Sequence, residues 1–253
     1  VSSQFYTIEQ AGRAAIRAAL LFAALSWSLC ANAANVANAA GRWPQLDLPA
    51  DAVAYDIAPQ LSVNGVPMQL RGFVSPRKPA EVARWFRQHL GQPVVENTLG
   101  AKLILGQGRG RHFISVQLES FQDGTRGMVA VSDLKAAAER QAETRAATGR
   151  LLSRLPAGSR LLEQTASSDG EKLARFALVS NGYSEQVNRD RLVRMMREDG
   201  FDLEREAQVQ KDSRGNTLFF KGAGKEAIAV ISRGAGGGVT LALNTITFLE
   251  VLR

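Results

Sequence analysis

The sequence is short of the residue types that most often carry chemistry. Of 253 residues one is Cys and two are His, and aromatic side chains make up 7%. A single Cys excludes an intramolecular disulfide framework and a Cys-rich zinc module. His89 and His112 would both have to serve in any metal centre, and neither has an acidic neighbour at ligand spacing. They read instead as solvated or capping histidines. No Gly-x-Ser-x-Gly elbow marks an activated serine. Acidic residues are also in deficit, with 24 Asp plus Glu against 31 Lys plus Arg and a formal net charge of +7. What is present is an ordinary globular hydrophobic fraction of 45%, too high for intrinsic disorder. The length allows one large domain or two small ones, each with its own core.

The amino-terminal segment has a recognisable order. Arg13 and Arg17 precede an apolar run from Ala18 to Leu29, and Ala31-Asn32-Ala33 follows it. A basic start, a short apolar core and an A-x-A site make a secretory signal peptide. The apolar run is shorter than the about 20 residues a membrane-spanning helix needs. Residues 1–33 are therefore expected to be a signal peptide, with residues 34–47 as an approach segment. Cys30 falls inside the removed part, so the exported chain would be free of thiols. A lipoprotein reading of Cys30 fails because Trp27 and Leu29 stand where that motif wants Leu and a small residue.

Two later stretches share an order of landmarks. One starts at Leu48-Pro49-Ala50 and the other at Leu155-Pro156-Ala157. Each has an extended run ending in Val-Ser, at Val74-Ser75 and Val179-Ser180. A helical pattern follows in each, with Val82, Trp85, Phe86 and Leu90 before Gly91, and Leu192, Val193, Met195 and Met196 before Gly200. Glycine just past the last periodic residue is the expected helix stop, because it takes the left-handed conformation at little cost. Short β-type runs come next: Lys102–Leu105, Phe113–Leu118 and Met128–Val131, then Thr217–Phe220, Ala227–Ser232 and Val239–Leu243. Between the stretches, residues 134–154 are rich in Ala, Glu and Arg and read as a solvated helix capped by Ser132 or Asp133. The expected fold is α+β. It has two tandem repeats of a strand–helix–antiparallel-strands module, residues 48–133 and 155–253, joined by that helical linker.

The candidate sites have plainer readings. Gly106–Arg111 and Gly234–Gly238 look like phosphate loops, but such loops need a helix after them and both stand between strands. Both read as hairpin turns. Trp85 with Phe86, and Phe219 with Phe220, read as core packing. Adjacent residues on a strand face opposite ways, so one of the two phenylalanines points away from the core. Arg84 and Arg87, with Arg191 and Arg194, could form basic helix faces, yet arginines elsewhere are interleaved with acids and no nucleic-acid motif accompanies them. No catalytic, metal or cofactor-binding residue is assigned, and no cofactor is expected. The sequence favours an exported, periplasmic, non-catalytic protein of the bacterial envelope acting through protein partners, as in secretion or pilus assemblies. Its basic excess would suit an anionic envelope polymer or lipid rather than nucleic acid. A second reading is a carrier of a small apolar or lipid-like ligand near Trp85, Phe86, Met195 or Met196. A third is a carboxylate-dependent envelope hydrolase.

Overall fold

The computed structural model describes residues 43–208, 215–234 and 236–249. The expected signal peptide and residues 34–42 of the approach segment lie outside the described residues. In chain order the elements are β1 (Val53–Val63), β2 (Val66–Ser75), α1 (Pro79–Leu90), β3 (Val95–Leu99), β4 (Lys102–Arg109), β5 (His112–Phe121) and β6 (Gly124–Asp133). Two connecting helices follow, α2 (Leu134–Glu139) and α3 (Gln141–Ser153). The rest is β7 (Arg160–Ser168), β8 (Lys172–Asn181), α4 (Glu185–Glu198), β9 (Asp202–Gln208), β10 (Gly215–Gly222), β11 (Lys225–Arg233) and β12 (Val239–Phe248).

All the described strands join one antiparallel sheet of 12, in the order β3-β4-β5-β6-β2-β1-β7-β8-β12-β11-β10-β9. At about 4.8 Å per strand it is roughly 50 Å wide. The two halves meet where β1 hydrogen-bonds to β7, in the register Leu61 to Ser167 and Val63 to Thr165. The turn of the β1–β2 hairpin adds to this seam: the Asn64 Oδ1 accepts from the Gln164 N–H at 2.8 Å. Asn64 and Gly65 both have positive φ, as a two-residue hairpin turn requires.

This architecture corrects the expected fold class. The protein is mostly antiparallel sheet, not an α+β chain of strand–helix–strand modules separated by a helical linker. Two physical reasons account for the difference. First, β1 and β7 carry register shifts, between Asp56 and Ala58, between Ala58 and Leu61, and between Leu161 and Glu163. A bulge breaks period-2 alternation, so these strands leave no clean pattern in the sequence. Second, the 134–154 segment is two helices that break at Arg140 rather than one. It does not hold the halves apart, because Leu151 and Leu152 pack onto the second core. Asp133 rather than Ser132 caps α2, accepting from the Ala136 N–H at 2.9 Å.

Helices α1 and α4 bury their apolar stripes on the same face of the sheet. Helix α1 lays down Val82, Ala83, Phe86 and Leu90, the three-and-four spacing of one helix face. They meet Phe73, Leu105, Ile114, Val116 and Val129. Helix α4 sets Leu192, Met195 and Met196 against Leu218, Ala229, Ile231 and Leu241. Both helices stop at glycine with positive φ, +81° at Gly91 and +75° at Gly200. At Gly200 the stop is a Schellman motif, with Phe201 N–H donating to Met196 O and Gly200 N–H to Arg197 O.

Candidate functional site

The register assigns every strand residue to a face. On β5, His112, Ile114, Val116 and Leu118 point under α1, so Phe113, Ser115 and Gln117 point the other way. Following Cα partners from strand to strand traces two rows on the face opposite the helices. One row begins at Phe113 and passes through Met68 and Leu61 to Ile246, crossing β5, β6, β2, β1, β7, β8 and β12. The other runs through Val63, Thr165, Phe176, Asn244, Ile228 and Phe219. Neither row contains a charged residue until it reaches Glu226 or Arg205 at the far side. Helices α1, α3 and α4 all pack their apolar residues on the opposite face. Most side chains in the rows are half-buried by their own neighbours, and Phe113 is 38% exposed.

Charge returns at the margins. At one corner Glu119 receives Arg126 at 2.7 Å and Lys102 at 3.7 Å. At the other side the Arg205 guanidinium lies 4.2 Å above the Phe219 ring. Phe220 is buried under α4, as alternation along β10 requires.

An open pocket of about 330 Å³ lies on the helix-bearing face, beneath the segment that enters the first core. Leu46 and Leu48 of that segment, with Val129 and Val131, form its apolar wall, and Asp56 and Arg71 supply its charge. Asp56 and Arg71 are register partners on β1 and β2. The residues expected to line a ligand cavity are placed elsewhere. Phe86, Met195 and Met196 fill the two cores, and Trp85 stacks on His89 at 3.8 Å between ring centroids.

The two histidines differ from each other. His89 is exposed on α1, with Nδ1 2.7 Å from the Trp85 carbonyl oxygen. His112 is buried, which corrects the expectation of a solvated or capping residue. The β5–β6 ladder sets it opposite Asp133, whose Oδ2 lies 3.9 Å from His112 Nε2. That nitrogen has no hydrogen-bond partner, and the Trp43 ring packs at 5.4 Å. Sequence spacing could not show this neighbour, because the contact crosses two strands. Burial pushes the Asp133 carboxyl up, but the Arg111 guanidinium at 2.6 Å and the Ala136 N–H outweigh it and hold the group below its ordinary value. The arrangement closes the start of α2 onto β5.

Of Gly106–Arg111 only Gly110, at φ +59°, and Arg111 form the β4–β5 turn, since Gly106 to Arg109 belong to strand β4; Gly234–Gly238 lies between β11 and β12. Arg87 is bound to Glu96 through two hydrogen bonds of 2.5 and 2.9 Å, so it is not a free cation on a basic face. Arg84, Arg191 and Arg194 are exposed. Among the described residues no group of three or more His, Cys, Asp or Glu is placed to hold a metal ion. No protein-family model matches the chain, and neither the curated proteins nor the solved structures contain a match to it.

Proposed function

We propose that this is an exported, non-catalytic protein of the bacterial cell envelope that binds another protein across the helix-free face of its sheet, as an accessory factor of an envelope assembly. The observation that carries the reading is the pair of uncharged rows, one crossing seven strands and the other six, that meet charge only at Glu226 and Arg205. A binding surface with an apolar, charge-poor centre and a polar rim has the anatomy of a protein interface. Its breadth suits a complementary surface rather than a small molecule, and contiguous apolar area of this kind marks interaction sites. Export rests on the Arg13-to-Ala33 pattern.

The test places a photo-crosslinking residue at Phe176, at the middle of the face, and at Arg84, on the opposite side. Crosslinking in intact cells should give one dominant protein adduct from Phe176, lost when Ile228→Asp is added, and none from Arg84. The adduct's partner, purified, should bind the wild-type chain and not the Ile228→Asp variant. Equal adducts from both positions would overturn the reading. Export is tested separately, by release on osmotic shock and by a new amino terminus after Ala33.

The pocket under Leu46 and Leu48 supports a second reading, a carrier of a small amphipathic ligand with its apolar part on Val129 and Val131. Saturable binding of a fluorescent fatty-acid probe, abolished by Val131→Asp and unaffected by Ile228→Asp, would favour it.

A further inference from the structure

The two ends of the sheet are protected to different degrees. Strand β9 is an edge of alternating charge, Asp202, Glu204, Arg205 and Glu206, with Glu206 held by Arg189 from α4 at 2.6 Å. Charge along an edge and a side chain laid across it are the usual means of blocking strand addition. Strand β3, Val95-Glu96-Asn97-Thr98-Leu99, is more weakly protected. All five residues are exposed, Val95 to 68% and Leu99 to 63%. Its single charge, Glu96, is neutralised by Arg87 on the helix-bearing side. Partners Gly106, Ile104 and Lys102 put Val95, Asn97 and Leu99 on the helix-free face.

The five residues are complementary to themselves when run antiparallel. With Asn97 opposite Asn97 of a second copy, Val95 meets Leu99, Glu96 meets Thr98, and each contact repeats across the two-fold axis. No like charges face each other, and the apolar pairs fall on one face. Moving the centre to Glu96 would instead oppose two carboxylates and shorten the overlap, so the fully overlapped register is the one the sequence favours.

We propose that the chain self-associates as a two-fold dimer through β3, with the two sheets joined edge to edge in the Asn97-centred register. The interface is isologous, as closed dimers require. It makes the helix-free faces of two copies continuous. The inference stands on the edge alone and does not depend on which partner the face binds.

Sedimentation equilibrium of the full chain, across micromolar to millimolar concentration, should show a reversible monomer–dimer equilibrium. The double substitution Val95→Lys with Leu99→Lys places like charges opposite each other twice, and should weaken the dimer by about tenfold or more. Val95→Lys with Leu99→Glu places opposite charges there, and should restore the dimer with a salt dependence the wild type lacks. Both pairs change side chains that are already exposed, and circular dichroism checks that the fold is kept. In a Cys30→Ser background, Asn97→Cys should form an intermolecular disulfide on mild oxidation, and Glu204→Cys on the other edge should not. A monomer at every concentration would overturn the proposal. So would a dimer that the two double substitutions affect equally, or crosslinking from Glu204→Cys as efficient as from Asn97→Cys. None of these outcomes bears on crosslinking from Phe176, which tests the binding face.

Discussion

The two halves of the sheet run their strands in the same order outward from the seam, β1-β2-β6-β5-β4-β3 and β7-β8-β12-β11-β10-β9, yet hold their helices by different chemistry. The first half is an aromatic core. Phe73 and Phe86 lie 5.8 Å apart, and Trp85 meets Phe86 edge-on at 5.0 Å. The Phe73 ring lies over Gly127, its cross-strand partner, where a Cβ would collide with the ring. The second half has no aromatic pair of this kind among its described core residues. It sets Leu192, Met195 and Met196 over Ala227 and Ala229. Rigid rings need a glycine beneath them, whereas unbranched methionines adapt to a floor of alanines. One topology therefore accepts two packing solutions, provided the summed volume is right.

The polar fastenings differ as well. In the second half Asn188 is fully buried on α4, and Asn181 on β8 exchanges amide hydrogen bonds with it at 2.8 and 3.0 Å. Ser159 and the Ser184 carbonyl complete that network. At the start of α4, Arg233 forms an ion pair with Glu185 through both of its carboxylate oxygens. In the first half the buried carboxylate is Asp133, which fastens α2, while the neutral Gln107 holds the end of α1 through the Gly91 carbonyl at 2.9 Å. The α1 start relies on Pro79 and on Glu81, which accepts from the Lys78 N–H at 3.1 Å. A neutral amide network is insensitive to pH, whereas a buried carboxylate is not.

Five substitutions would break or sharpen this contrast, all read by chemical denaturation. The largest effect is expected from Phe86→Ala, which empties the aromatic core and should cost about 4 kcal/mol; Met196→Ala in the second half should cost about 3 kcal/mol. Reversed costs would argue that the second core is the tighter. Next, Asn188→Ala leaves the Asn181 amide buried without its partner and should cost about 2 kcal/mol, with no change between pH 4 and 8.

Asp133→Asn comes third, at about 1–2 kcal/mol at neutral pH, from loss of the charge opposite Arg111. Its signature is the pH profile. The folded-state pKa of Asp133 is lowered, so its contribution is present above the ordinary carboxyl value and is lost as pH falls through the folded value. The wild type should therefore lose stability on acidification more steeply than Asp133→Asn. Parallel profiles would remove Asp133 from the comparison. The smallest effect, about 1 kcal/mol, is expected from Ser184→Ala, which deletes the acceptor for the Val187 N–H at the start of α4.

Much of the local structure was legible. The helix stops at Gly91 and Gly200 follow from an apolar stripe ending in glycine. A hairpin turn near Gly110 follows from the strand-like runs on both sides, although β4 extends through Gly106 to Arg109. The opposite fates of Phe219 and Phe220 follow from strand geometry alone. The strands β1, β3, β7 and β9 were not legible. Two are bulged, one has five exposed residues, and one is mostly charged, so none presents a clean alternation of buried and exposed positions. The neighbour of His112 was missed for a related reason, because His112 and Asp133 are 21 positions apart in sequence and meet only through the β5–β6 ladder.

The sequence by itself determined where α1 and α4 stop, most of the residues in their buried stripes, and that the acids are too few to balance the bases. These depend on interactions between residues a few positions apart. Only the tertiary structure decided that the halves form one sheet, that the apolar residues of α1, α3 and α4 share one face of it, and that β3 ends the sheet with a single charge while β9 ends it with four. Those outcomes depend on strand pairing, which brings together residues as distant as Leu61 and Ser167, and no local pattern encodes a partner that far away.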